Sequence, residues 1–372
     1  MRNRTRIAVL VLLVMTIALP AHGRYVGPGV QNVPLERLIP NLEKQLAQDP
    51  KSIGPRECLA RAHAMAWALK SESVPVSRNG TVWYGGSLNS LDAPTKVAET
   101  EDEGKKKAAR EHLDQSIEFY RGILEQEPAL TASRLGYAWV LAQAGNREPA
   151  VAEESATELG FEGHFLTPEA AGYLIPLLDP ERDAAEIRTL QERVKKLAGI
   201  KKQKPRSPIA VALTDGLTPA AVLDPTAHVR FDLDGSGADR EWEWITPDAA
   251  WLVFDPQSTG RIESGRQLFG NVTFWMFWED GYAALRALDD DGDGRLSGPE
   301  LRGFALWHDR DRNGSSGPSE VRPLDAWGIV ALECRPTTRE GAVLGHPSGA
   351  VLADGRVRPT WDLILRPASR RR

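Results

Sequence analysis

Asp289, Asp291, Asp293 and Glu300 stand at positions 1, 3, 5 and 12 of one twelve-residue stretch, with Gly294 at position 6 and Leu296 at position 8. Carboxylates this close repel one another, and a bound divalent cation turns the repulsion into coordination. Calcium takes six to eight oxygens, and a loop with carboxylates at these positions supplies most of them. Arg295 would add its backbone carbonyl at position 7, Ser297 would act directly or through water at 9, and Glu300 would clamp with both oxygens. The position-6 glycine makes the sharp turn that the wrapping needs, a requirement that an ordinary acidic turn does not have.

A second stretch repeats the template: Asp309, Asp311 and Asn313 at 1, 3 and 5, Gly314 at 6, the Ser315 carbonyl at 7 and Glu320 at 12. Ser316 replaces the apolar residue at position 8, which predicts weaker β pairing between loops. Two poorer copies lie upstream. Asp232, Asp234, Ser236, Gly237 and Glu243 fit one weaker metal site, although Trp242 and Glu243 fit a strand equally well. Asp255, Gln257, Thr259, Gly260 and Ile262 keep the turn of the other, but Arg266 stands at position 12, which reads as a structural relic.

On these residues the region from Val229 to Leu332 resembles the EF-hand superfamily, and more narrowly the calcium-binding proteins that bacteria secrete. The elements that carry the likeness are Phe231 to Gly235, Gly260 to Ile262 with Leu268 to Gly270, and Asp289 to Gly294. The resemblance implies calcium binding and export, and no catalytic chemistry. The first aspartates of the loops stand at 232, 255, 289 and 309, so the last two loops are 20 residues apart. Only Leu301 to His308 separates them, which predicts one shared short helix and a compact array that calcium holds together.

The rest of the chain divides by periodicity. From Leu35 to Gly199 apolar residues recur at three- and four-residue spacings, as in Leu38 to Leu46, Cys58 to Leu69, Leu113 to Leu124, Leu135 to Ala144 and Ile187 to Leu197. This half is expected to be all-α. Leu46-Ala-Gln-Asp-Pro50 and Leu124-Glu-Gln-Glu-Pro128 are followed by similar residues at equal offsets, so the half resembles a degenerate tetratricopeptide array. A binding repeat that takes a partner protein or peptide and a plain helical bundle both fit. Val74 to Lys107, with its glycines, prolines and a charged run, reads as a solvated insertion.

Beyond Pro208 short strands are expected at Ile209 to Leu213, Trp242 to Ile245, Trp251 to Phe254, Ile329 to Leu332 and Trp361 to Leu365, and helices at Tyr282 to Leu288 and Leu301 to Trp307. The predicted fold class is therefore multidomain: a helical, tetratricopeptide-like domain at 24–200, a basic Pro-containing linker at 201–208, and an α+β domain with EF-hand-type calcium loops at 209–372. Eight of the eleven tryptophans lie in that last domain and fit either a sugar-binding face or core packing.

Arg2, Arg4 and Arg6 precede an apolar run from Ile7 to Leu19, then Ala21 and Gly23. This is the layout of a signal peptide at 1–23, and it predicts export to the periplasm or beyond the cell. The run of 13 residues falls short of the roughly 20 that a membrane span needs, so the mature chain is expected to have no transmembrane anchor. A net charge of −5 disfavours a nucleic-acid partner. Cys58 and Cys334 alone cannot make a disulfide framework. Nucleophile elbows, zinc helices, phosphate loops and dinucleotide fingerprints are absent, so the chain is read as non-enzymatic, with calcium as its ligand. A scaffold whose helical half binds a peptide is the alternative, and a secreted hydrolase a more distant one.

Overall fold

A computed structural model describes residues 32–71, 73–75, 97–150, 163–198, 205–317 and 319–367. The expected signal peptide and most of the expected insertion, 76–96, lie outside the described residues, as do positions 201–204 of the expected linker.

The N-terminal half is helical. A short strand β1 (Asn32–Pro34) leads into α1 (Leu35–Gln48), whose stripe Leu35, Leu38 and Leu42 is buried. Next, α2 (Ile53–Leu69) is buried almost all round, from Cys58 to Ala68, as a central helix must be. After β2 (Ser73–Pro75), which pairs antiparallel with β1, come α3 (Glu103–Gln126), α4 (Thr131–Gln143), α5 (Gly163–Leu174) and α6 (Ala184–Ala198). The charged run expected in a loop enters α3 instead. Asp102 caps that helix by accepting from the Gly104 and Lys105 amides, and Glu103 suits the positive helix start. On α3, the Ser116 hydroxyl donates to the Ala60 carbonyl of α2 at 2.7 Å.

The C-terminal half is β-rich. Its strands and short helices are β3 (Ile209–Ala212), α7 (Pro219–Val222), β4 (Leu223–Phe231), β5 (Arg240–Ile245), β6 (Ala249–Phe254), α8 (Gly281–Arg286), β7 (Arg295–Ser297), β8 (Phe304–Trp307), β9 (Val321–Pro323), β10 (Ile329–Glu333), β11 (Thr338–Glu340), β12 (Val343–Leu352) and β13 (Val357–Asp362). Nine of them form an antiparallel sheet in the order β7-β10-β12-β13-β3-β6-β8-β9, with β11 on β12, while β4 and β5 make a separate hairpin.

The middle strands β3, β6 and β8 are buried on both faces, and their side chains alternate between two cores. Ile209, Val211, Ala250, Leu252, Phe254, Phe304 and Leu306 join the core of α1 to α4, so one hydrophobic cluster runs through both halves of the chain. Ala210, Ala212, Trp251, Val253, Ala305 and Trp307 face a second core, closed by Trp242, Trp244 and Phe231 of the hairpin. Trp242, Trp244, Trp251 and Trp307 have no exposed surface, so packing and not a sugar platform accounts for them. Cys58 and Cys334 are both buried and free. Among the described residues no helix is long and apolar enough to cross a membrane.

Leu301 to Trp307 is not the expected helix. Gly298–Leu301 makes one 3-10 turn, Gly303 takes φ +88°, and Phe304–Trp307 runs as a strand between β6 and β9. Space fixes that glycine, because a Cβ there would meet the Phe254 ring at 2.8 Å. The two main acidic loops therefore share a strand and not a helix. Packed on the same Phe254 ring, the segment of Phe274, Trp275 and Phe277 holds positive φ of 57°, 62° and 57°, a costly backbone for aromatic residues. From α2 the Arg61 Nε donates to the Trp275 carbonyl of this segment at 2.5 Å.

Candidate metal centre

All four sequence loops fold around the same bond. The position-1 aspartate accepts from the amide of the position-6 glycine in Asp232 with Gly237 (2.9 Å), Asp255 with Gly260 (2.8 Å), Asp289 with Gly294 (2.9 Å) and Asp309 with Gly314 (3.0 Å). Positive φ at each of these glycines makes the wrap. The loops differ in what else converges on the enclosed point.

In the first main loop, carboxylate oxygens of Asp289, Asp291 and Asp293 lie within 4.8 Å of one another. Asp289 is only 7% exposed although α8 ends just before it. Its Oδ1 also accepts from the Gly292 amide, at 2.8 Å. Glu300 is held at both oxygens, by the Asp290 amide at 2.7 Å and the Ser297 amide at 2.9 Å. Arg295 and Ser297 sit in β7, where Leu296 pairs with Leu332 of β10. Position 8 is thus tied to the sheet and not to the neighbouring loop.

In the second, Asp309, Asp311 and Glu320 bring carboxylate oxygens within 4.8 Å of one another. Asp309 Oδ2 accepts from the Trp244 indole at 2.8 Å. Burial pushes the Asp309 carboxyl up to about 6, against the Gly314 and Asn313 amides and the indole, which favour its charged form. Asn313 donates its amide to Asp311 at 2.7 Å and accepts from the Ser315 amide at 2.6 Å. At position 8 the Ser316 hydroxyl accepts from the Ile262 amide at 2.8 Å, so this loop couples to the relic loop through a side chain.

The loop of Asp232 is compensated by arginine. Arg240 pairs with Asp234 at 3.3 Å, and Arg266, fully buried over the Trp275 ring, donates through Nε (3.0 Å) and Nη2 (2.6 Å) to the Gly235 carbonyl. Asp232 has no exposed surface, and burial pushes its carboxyl up to about 7. Ser236 stays beside these groups, its amide donating to Asp234 at 3.2 Å. Glu243 does not complete the site: it lies in β5, and its carboxylate accepts from the Arg366 amide at 2.9 Å. The alternation of Arg240–Ile245, with Trp242 and Trp244 inward, makes that stretch a strand. In the relic loop Asp255 accepts from the amide and hydroxyl of Thr259, which stand where a second carboxylate would be needed.

By contrast, among the described residues no lysine or arginine lies within ion-pair distance of Asp289, Asp291, Asp293, Glu300, Asp309, Asp311 or Glu320. Both main loops therefore concentrate negative charge on an all-oxygen donor set that suits a hard divalent cation. Among the groups that touch these loops and that the sequence did not announce are Trp244 and Arg37. Trp244 lies 65 residues from Asp309, and Arg37 reaches Asp290 at 2.8 Å across 253 residues. No local pattern announces either.

The fold and site thus describe a helical half packed on a β-rich module that carries two acidic loops. The family model of the SPM domain matches residues 214–366 of it. The chain is also similar to the iron-regulated protein FrpA of Neisseria meningitidis serogroup C, at 29% identity over 169 residues, covering 42% of this chain. The chain spans about 15% of the length of that curated relative.

Proposed function

We propose that this is an exported calcium-binding protein in which the ions stabilise a compact EF-hand-like array and no reaction is catalysed. The observation that carries the reading is the convergence of three carboxylates in each of two twelve-residue loops that no basic side chain neutralises. The first ion would be held by Asp289, Asp291, Asp293, the Arg295 carbonyl, Ser297 and Glu300. The second would be held by Asp309, Asp311, Asn313, the Ser315 carbonyl and Glu320. Export rests on the basic and then apolar pattern of residues 2–19 in the sequence.

The role proposed is structural because both loops are wired into the sheet. The first passes directly into β7, and the second lies between β8 and β9. Exported modules of this type bind calcium at roughly 0.1–1 mM, so the ion would be held outside the cell and lost inside it. Calorimetric titration of the full chain with calcium is the test: two sites in that range are expected, and no heat at millimolar calcium refutes the proposal.

A further inference from the structure

The two main loops are closed by different means. In the second, the ends meet through backbone: the His308 amide donates to the Glu320 carbonyl at 2.8 Å, continuing the pairing of β8 with β9. In the first, the Leu288 amide turns back to the Leu285 carbonyl at 2.9 Å, within the end of α8. The corresponding carbonyls, Leu288 and Glu300, are instead bridged by one guanidinium nitrogen from the helical half. Arg37 Nη2 donates to the Leu288 carbonyl at 2.6 Å and to the Glu300 carbonyl at 3.1 Å.

The rest of α1 is built to hold that guanidinium there. Arg37 Nε lies 2.8 and 2.9 Å from the two Asp290 oxygens. One turn on, Asn41 donates to Asp290 at 2.8 Å and to the Ala287 carbonyl at 3.2 Å. Lys44 reaches the Asp290 carbonyl at 2.6 Å, and Gln45 the Arg286 carbonyl at 3.0 Å. These four side chains follow the i, i+4, i+7, i+8 face of a helix, and together they cap the carbonyl end of α8. Asp290, at loop position 2, is no ligand. Its charge cancels that of Arg37, so the bridge can stand beside a cation without repelling it.

On this geometry we infer that Arg37 is a positioning residue for the first ion: it fixes the distance between Asp289 and Glu300, the first and last ligands, and makes the helical half part of that site. The inference rests on the proposed calcium reading. A loop whose ends are already set gives up less freedom on binding, so docking of α1 raises affinity at the first loop alone. Lysine would keep the charge, but its compact ammonium cannot span two carbonyls and a carboxylate as the planar fork does.

The experiment follows each loop separately in the full-length protein labelled with 15N-glycine. The Gly294 amide bonds Asp289 and the Gly314 amide bonds Asp309, so each reports its own loop during a calcium titration. R37A and R37K are both expected to raise the calcium midpoint at Gly294 by about tenfold or more, with the Gly314 midpoint unchanged. An unchanged Gly294 midpoint, an equal shift of both glycines, or full recovery in R37K overturns the inference. Where R37A does not fold, R37Q carries the same test, since it keeps a polar side chain on α1 and all ligands but is too short to bridge the Leu288 and Glu300 carbonyls; an unmoved Gly294 midpoint there is again a refutation. If neither glycine of the unmodified protein responds to calcium, the calcium reading itself fails. If both respond and R37A changes nothing, only the positioning role falls.

Discussion

The indole nitrogen of Trp244 donates to Oδ2 of Asp309 at 2.8 Å, from a hairpin strand into the first position of the second acidic loop. Trp244 also stacks edge-on against Trp251 and Trp307, at 5.2 and 5.7 Å between ring centroids. An ion drawing on Asp309 would change the charge felt by this cluster. Calcium is therefore expected to alter tryptophan emission, and W244F to remove most of the change. Equal responses in W244F and the unmodified protein would contradict this coupling.

Within the first loop the proposed ligands are unequal. Glu300 offers two charged oxygens and Ser297 at most one neutral oxygen. E300Q is expected to weaken that site by about tenfold or more, and S297A by only a fewfold, by the weight that a bidentate position-12 glutamate carries. Calorimetry on the two variants ranks them, and the reverse order would remove Glu300 from the ligand set.

Calcium should also stabilise the fold by mass action. With dissociation constants of roughly 0.1–1 mM, about 10 mM calcium contributes about 1.4–2.7 kcal/mol per site. That predicts a rise of about 2–4 °C per site in the thermal midpoint over a chelator-treated sample. Identical midpoints in the two samples would rule out a structural role for the ion.

A separate pH dependence belongs to the helical half. His63 of α2 is 6% exposed, one ring nitrogen sharing a hydrogen bond with His112 Nδ1 at 2.8 Å. Burial, then the His112 charge, lowers its pKa from 6.5 to about 4. The unfolded chain thus takes up a proton between pH 6.5 and 4 that the folded chain refuses, and stability falls as pH drops through that window. From pH 6.5 to 5 the loss is about 2 kcal/mol. Thermal midpoints at pH 7.5 and 5 should therefore lie closer together in H63Q than in the unmodified protein; equal gaps would exclude His63 as the source.

What could be read from the sequence was whatever is encoded locally. The three- and four-residue stripe of Leu35, Leu38 and Leu42 marks α1 without help, and the short apolar, aromatic-rich run Trp251 to Phe254 marks most of β6. The acidic loops announce themselves because the carboxylates of each lie within one twelve-residue stretch. Phe304 to Trp307 was misjudged since four apolar residues in a row suit helix or strand alike, and the space beside Phe254 that forces Gly303 open is a tertiary fact. Glu243 failed for a similar reason: its partner is the Arg366 backbone, 123 residues away. The Arg37 bridge and the shared core of the two halves were invisible altogether, because nothing near Leu35 indicates that α1 will lie across Asp290.

The position of β3 has a bearing on where this module begins. Ile209–Ala212 precedes the stretch 214–366 that the SPM model matches, yet β3 stands between β13 and β6 in the middle of the sheet. Cutting the chain at residue 214 would open a seam there and leave two bare strand edges inviting another molecule to fill them. The unit that evolution or an engineer can move intact therefore starts upstream of the recognisable stretch, at least by Arg206, whose backbone is bridged to Leu365.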